Sequence, residues 1–114
     1  MSAFNAAEVG RRVLRTEADA LMLMADGLDG AFSKAVELVH GLKGQLVCTG
    51  VGKSGHVARK ISATLASTGT PSVFVHATEA SHGDLGIVRQ EDAVLALSKS
   101  GETKELADVV AYAK

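Results

Sequence analysis

The chain has 114 residues, 46% hydrophobic and 22% charged, with 12 basic side chains against 13 acidic ones for a formal charge of −1. This is the composition of a soluble globular domain with enough length for a sizeable apolar core. No basic stripe invites nucleic acid, and with no tryptophan and one tyrosine there are few platforms for stacking bases. No apolar run approaches the roughly 18 residues of a membrane span, and no basic segment followed by an apolar one opens the chain, so a cytoplasmic protein is expected.

In chain order, "FNAAEVGRRVLRTEADALMLMADGL" predicts a long amphipathic helix. Asn5 and Glu8 have capping-box spacing, and Val9, Val13, Leu14, Ala18, Leu21, Met24 and Leu28 recur every three or four residues. A second helix is predicted over Asp29–His40, ended by "GLKG". The apolar burst Leu46–Thr49 predicts a strand, and its single cysteine, Cys48, reads as a buried small hydrophobe. A glycine-rich turn follows, and helical periodicity resumes after Gly55 through Val57, Ile61 and Leu65 until "STGTPS" stops it. "VFVH" predicts a second strand, "ATEASHGDLGIV" a short helix or turn, "DAVLALS" a third strand, and "KSGETKELADVVAYAK" the start of another helix.

Strand, polar turn, helix, repeated, predicts an α/β fold: a three-layer sandwich with a mostly parallel sheet and covering helices. Ligands of such sheets bind at the carboxyl ends of the strands, here "TGVGKSGH", "HATEASHGD" and "SKSGET". Three strands are few for an open parallel sheet, so the chain is expected to be the front part of a longer domain. Residues 1–45 are expected to be helices packing on the domain and on a partner subunit, and 46–114 the first part of the α/β domain.

"CTGVGKSGHVARKISATL", residues 48–65, nearly contains two phosphate motifs. A Walker A loop needs glycine where this chain has Val47, so a P-loop is excluded. Gly50, Gly52 and Gly55 do satisfy the spacing of a dinucleotide fingerprint, but the acidic residue that should end the second strand is replaced by His76, and Glu79 comes three residues late. Lys53 and Ser54 put a positive charge and a hydroxyl in the turn itself, which suits concentrated negative charge. In "SKSGET", Ser98, Ser100 and Thr103 supply hydroxyls and Gly101 close backbone approach, directly ahead of a helix: a phosphate cradle. A small phosphorylated ligand between the first and third strand ends satisfies both loops.

"TGVGKSGHVARKISATLASTGTPSVFVHATEASHGDLG" followed by "ALSKSGET" resembles the sugar isomerase (SIS) domain, and within it most closely the arabinose 5-phosphate isomerase family. The resemblance implies an aldose–ketose isomerase that interconverts D-ribulose 5-phosphate and D-arabinose 5-phosphate for lipopolysaccharide precursor synthesis. It matches Ser98, Ser100 and Thr103 to the phosphate loop, and Lys53 and Glu105 to active-site residues. His82 matches a substrate-contacting histidine, Gly69 and Thr70 match positions along the substrate pocket, and His76 matches a histidine associated with zinc. A later glutamate and histidine of the family's catalytic set have no counterpart in these 114 residues.

Such a reaction moves a proton between adjacent carbons through an enediol and needs a base and an oxyanion partner. Lys53 suits either the oxyanion or the phosphate, Glu105 and His82 are the candidates for proton transfer, and no cofactor is required; a bound zinc would be an inhibitor. His40 reads as a helix C-terminus and His56 as a neighbour of the turn. The apolar stripe of the first helix, together with the resemblance, implies a homo-oligomer, a tetramer or a dimer. Phosphoheptose isomerase and a non-catalytic sugar-phosphate-binding regulator are the alternatives.

Overall fold

The computed structural model describes residues 3–81, 84–99 and 104–114, without the side chains of 80, 81, 84, 85, 104, 105 and 108. The chain divides into two compact units, Met1–Val36 and Glu37–Lys114.

The first unit holds helix α1, Ala6–Gly27, and most of helix α2, Gly30–His40. Asn5 caps α1 as its spacing predicts: its Oδ1 accepts from the Glu8 N–H at 3.1 Å, satisfying a backbone donor that the first turn leaves without an intrahelical partner. Asp29 does the same for α2, accepting from the Ala31 N–H at 2.9 Å. No residue of α1 is buried; Leu14, Leu21, Met24 and Leu28, all on the predicted stripe, are exposed.

The second unit is the α/β body. Strand β1, Leu46–Gly50, leads into helix α3, Gly52–Ser67; strand β2, Ser72–His76, leads into helix α4, Ala77–Ser81, and a 3₁₀ turn at Asp84–Ile87; strand β3, Ala93–Leu97, precedes helix α5, Lys104–Ala113. The sheet order is β2-β1-β3 with both pairings parallel. Side chains alternate across it, as strand geometry requires. Leu46 and Cys48 pack with Ala58, Ile61 and Leu65 of α3, and with Val39 and Leu42 from the end of α2. Val47 and Val75 pack instead with Ala77 of α4 and with Leu106 and Val109 of α5. Helices thus cover both faces, and the three-layer expectation holds. Cys48 is fully buried, as read from the sequence.

Two polar devices lock the amino edge of the sheet. The Asp92 carboxylate accepts from the Gln45 N–H and the Arg89 N–H, each at 2.8 Å, tying the approach to β1 to the turn before β3. Across the β1–β2 pair, the Ser72 hydroxyl donates to the Leu46 carbonyl at 2.7 Å and lies 2.9 Å from the Ser62 hydroxyl and 3.6 Å from Cys48 Sγ.

Candidate active site

The parallel register sets three strand ends side by side. Gly50 is the partner of His76 on one flank and of Leu97 on the other. The segments that follow these residues therefore leave the sheet from one edge, and their backbones start about 5 Å apart, the spacing of neighbouring strands.

The central segment turns straight from strand into helix. Periodicity alone places the start of α3 after Gly55, but the helix begins at Gly52, so the glycine-rich turn is itself its first turn. Gly52 has φ +59°, the left-handed region that side-chain-bearing residues avoid. Gly50 and Gly55 touch: a Cβ on Gly55 would stand 3.0 Å from the Gly50 carbonyl oxygen, and one on Gly50 would stand 2.9 Å from the Gly55 nitrogen. All three glycines of the fingerprint-like spacing are thus explained by this strand-to-helix corner, without a dinucleotide. Lys53 is exposed and Ser54 half-buried at the corner, among the N–H groups that a helix start leaves unpaired. Thr49, one position below it, is buried, and its hydroxyl has no hydrogen-bond partner among the described residues.

On one flank, His76 ends β2 and its side chain caps the next helix: Nδ1 accepts from the Thr78 N–H at 3.2 Å. On the other flank, Ser98 follows β3 directly and is half-buried. Lys53, Ser54, His76 and Ser98 therefore belong to the same carboxyl edge. His82, Ser100, Gly101 and Thr103, and the side chain of Glu105, lie outside the described residues.

Gly69 and Thr70 are not brought to this edge. They lie between α3 and β2, at the amino end of the strands, a full strand away from His76. Their local role is to end α3: Gly69 takes φ +98° and the Thr70 N–H donates to the Leu65 carbonyl at 2.9 Å, the glycine-dependent closure common at helix C-termini. Within one copy of this chain they do not join Lys53 and His76.

Two hollows adjoin the His76 flank. A cup of about 90 Å³ is lined by Gly52, Gly55, His56, Arg59, Phe74 and His76. A wider, open depression of about 630 Å³ is lined by Arg59, Phe74, Val75, His76, Glu79, Gly86 and Ile87. Arg59, Phe74 and His76 border both. The Arg59 guanidinium carbon lies 4.4 Å from the centroid of the Phe74 ring, and the Phe74 and His76 rings meet edge to face, with centroids 6.4 Å apart and planes at 78°. Sequence reasoning missed Arg59 and Phe74. The available signal was positional: Gly52, Gly55, His56 and Arg59 share one face of a helix at 3.6-residue period.

The zinc expectation at His76 does not fit this arrangement. A metal-bound imidazole offers a lone pair from one nitrogen and ordinarily donates an N–H from the other. Here Nδ1 is the acceptor, so in the neutral ring the proton sits on Nε2 and neither lone pair is free. Among the described residues, no three of histidine, cysteine, aspartate and glutamate converge as a metal site would need.

An open parallel sheet with helices on both faces and polar turns gathered at its carboxyl edge defines a small-ligand α/β domain. The SIS domain matches residues 42–114, and the chain belongs to that family. It is 50% identical over 104 residues to the arabinose 5-phosphate isomerase KdsD of Pseudomonas aeruginosa, a match covering 91% of this chain and 32% of that protein. With the enzyme of the same name from Escherichia coli K12 it shares 44% identity over 111 residues, covering 97% of this chain and 34% of that protein. Among solved structures, a Bacteroides fragilis protein described as a phosphosugar isomerase involved in capsule formation superposes with a TM-score of 0.86 at 41% identity, over 96% of this chain and 58% of that one. The Escherichia coli CFT073 protein c3406, in complex with arabinose 5-phosphate, gives 0.84 at 40% identity, over 95% of this chain and 59% of that one. The chain thus spans about a third of the length of these curated relatives.

Proposed function

We propose that this chain is the sugar-phosphate-binding front part of an arabinose 5-phosphate isomerase, which interconverts D-ribulose 5-phosphate and D-arabinose 5-phosphate. The observation that carries the reading is the placement of Lys53, Ser54, His76 and Ser98 on one sheet edge, joined to about 50% identity with an isomerase of that name.

In the forward direction a base removes a proton from C1 of the ketose, giving a 1,2-enediol, and the proton is returned at C2 to form the aldose. Glu105 and His82 are the candidates for this transfer. Lys53, at the corner between β1 and α3, supplies positive charge to the enediolate oxygen or to the phosphate. Ser98, Ser100, Gly101 and Thr103 hold the phosphate through hydroxyls and backbone N–H groups. No step passes through a metal. The apolar stripe of α1 meets a second copy in a homo-oligomer, a tetramer or a dimer, and the protein works in the cytoplasm. Among the described residues no helix is long and apolar enough to cross a membrane.

The test is to incubate the complete gene product that carries this chain with D-ribulose 5-phosphate, with and without a chelator. Arabinose 5-phosphate should form in both. Its absence from both would defeat the reading, and conversion of sedoheptulose 7-phosphate instead would replace it with phosphoheptose isomerase.

A further inference from the structure

His76 stands where two readings of one side chain compete, a ligand for a cation or a donor to a sugar. The hydrogen bond from Thr78 decides which nitrogen holds the proton. With Nδ1 accepting at 3.2 Å, the ring's remaining polar atom is Nε2–H, which gives a hydrogen bond and presents no lone pair to a metal.

The ring has an aromatic neighbour, itself in contact with a cation. Phe74 meets it edge to face, and Phe74 is itself covered by the Arg59 guanidinium at 4.4 Å. Phe74 and His76 are two apart on β2 and so share the face that α3 covers, while Arg59 lies one turn beyond Gly55 on α3. The three residues form a stack running from the helix, over the strand, to the strand's end. The cup beside them, about 90 Å³, is well below the roughly 300 Å³ at which ligand-sized pockets begin. That space accepts a hydroxyl or a terminal carbon of a ligand, not a whole sugar phosphate. The adjoining depression, about 630 Å³, is of ligand size.

We infer that the Arg59–Phe74 pair positions His76 as a tautomer-locked Nε2–H donor to a hydroxyl of the phosphorylated sugar, and that His76 is not an anchor for zinc. Arg59 and Phe74 are positioning residues, acting through the imidazole. The identity of the ligand rests on the isomerase reading; the tautomer and the exclusion of zinc do not.

Two substitutions at His76 separate cap from donor. Asparagine keeps an acceptor near the position of Nδ1 and is a favoured helix N-cap, but has no group reaching Nε2. Glutamine reaches outward with an N–H donor and loses the short acceptor. In the complete gene product, His76→Asn should stay folded and weaken D-arabinose 5-phosphate binding about tenfold, the loss of one buried hydrogen bond, while His76→Gln recovers part of it. Long-range ¹H–¹⁵N spectra should show the Nε2–H tautomer in the unliganded protein, unchanged by zinc at micromolar concentration. Arg59→Met and Phe74→Leu should each give a mixture of tautomers and weaker sugar-phosphate binding, with Arg59→Lys close to wild type because it keeps the cation. A wild-type Nδ1–H tautomer, a zinc-induced shift of His76 that His76→Asn abolishes, or His76→Asn binding like wild type would overturn the proposal. An Arg59→Met variant indistinguishable from wild type in both tautomer and binding would overturn it as well. If the wild-type protein isomerises nothing, the isomerase reading fails while the spectra and the zinc titration still decide this one.

Discussion

The two units of the chain use apolar residues in opposite ways. Along β1 the side chains of Leu46, Val47 and Cys48 are at most 5% exposed, each covered by a helix of the same body. Along α1, Leu21 is 65% and Leu23 74% exposed, although the helix is well capped and continuous over 22 residues. Local signals, the Asn5 cap and the 3.6-residue period, mark where this helix starts and which side chains share a face. They do not by themselves bury its stripe. The body, in contrast, owes its order to contacts between residues distant in sequence, such as Cys48 with Phe74 and Leu95 in register. Secondary structure and burial are therefore separable properties of this sequence.

The comparison can be broken most forcefully at the strand-to-helix corner. Gly55→Val forces side-chain atoms against the Gly50 carbonyl and should destabilise the body by about 3 kcal/mol in urea unfolding, while the helical signal of α1 persists. Lys53→Ala acts at the same corner but on an exposed side chain. It should leave the unfolding midpoint unchanged and lower isomerase turnover by about 100-fold, more than it lowers sugar-phosphate binding, the magnitude expected for one charge-stabilising donor. Equal loss of both would point to a binding protein instead.

Asp92→Ala should cost the body about 2 kcal/mol, since the Gln45 and Arg89 N–H groups lose their shared acceptor. The smallest effect is expected in the first unit. Leu21→Gln should change the chain's own unfolding free energy by no more than about 0.5 kcal/mol, because an exposed side chain has little burial to lose. If the stripe meets a second copy, the same substitution should lower the mass measured by light scattering. A large loss of unfolding free energy would show that the stripe is buried within one chain after all.

The same division explains how much was legible beforehand. Helices α1 and α2, all three strands and the parallel α/β class follow from period, caps and the alternation of elements, and each is in place to within two residues. The start of α3 was not legible, because three glycines in six residues read as a loop until Gly52 is seen to take the one left-handed angle that lets a strand turn into a helix. At the site, Lys53, Ser54, His76 and Ser98 were legible as strand-end residues, since a parallel sheet sends all its strand ends to one edge. Gly69 and Thr70 were singled out by resemblance alone, and chain geometry puts them at the other edge. His76 as a helix cap, Arg59 over Phe74, and Asp92 as a bridge between two turns each depend on register or side-chain placement. Those are three-dimensional facts that spacing along the chain does not encode.

The buried position of Cys48 also makes this chain its own timekeeper. The thiol is the only one in the 114 residues, sits in the central strand at 0% exposure, and lies under α3 beside Ser72. A thiol reagent can reach it only when the sheet opens, so the labelling rate, divided by the rate for an exposed thiol, measures how often that opening occurs. Alkylation kinetics followed by mass would thus report the opening of the α/β body, without denaturant and without any engineered probe.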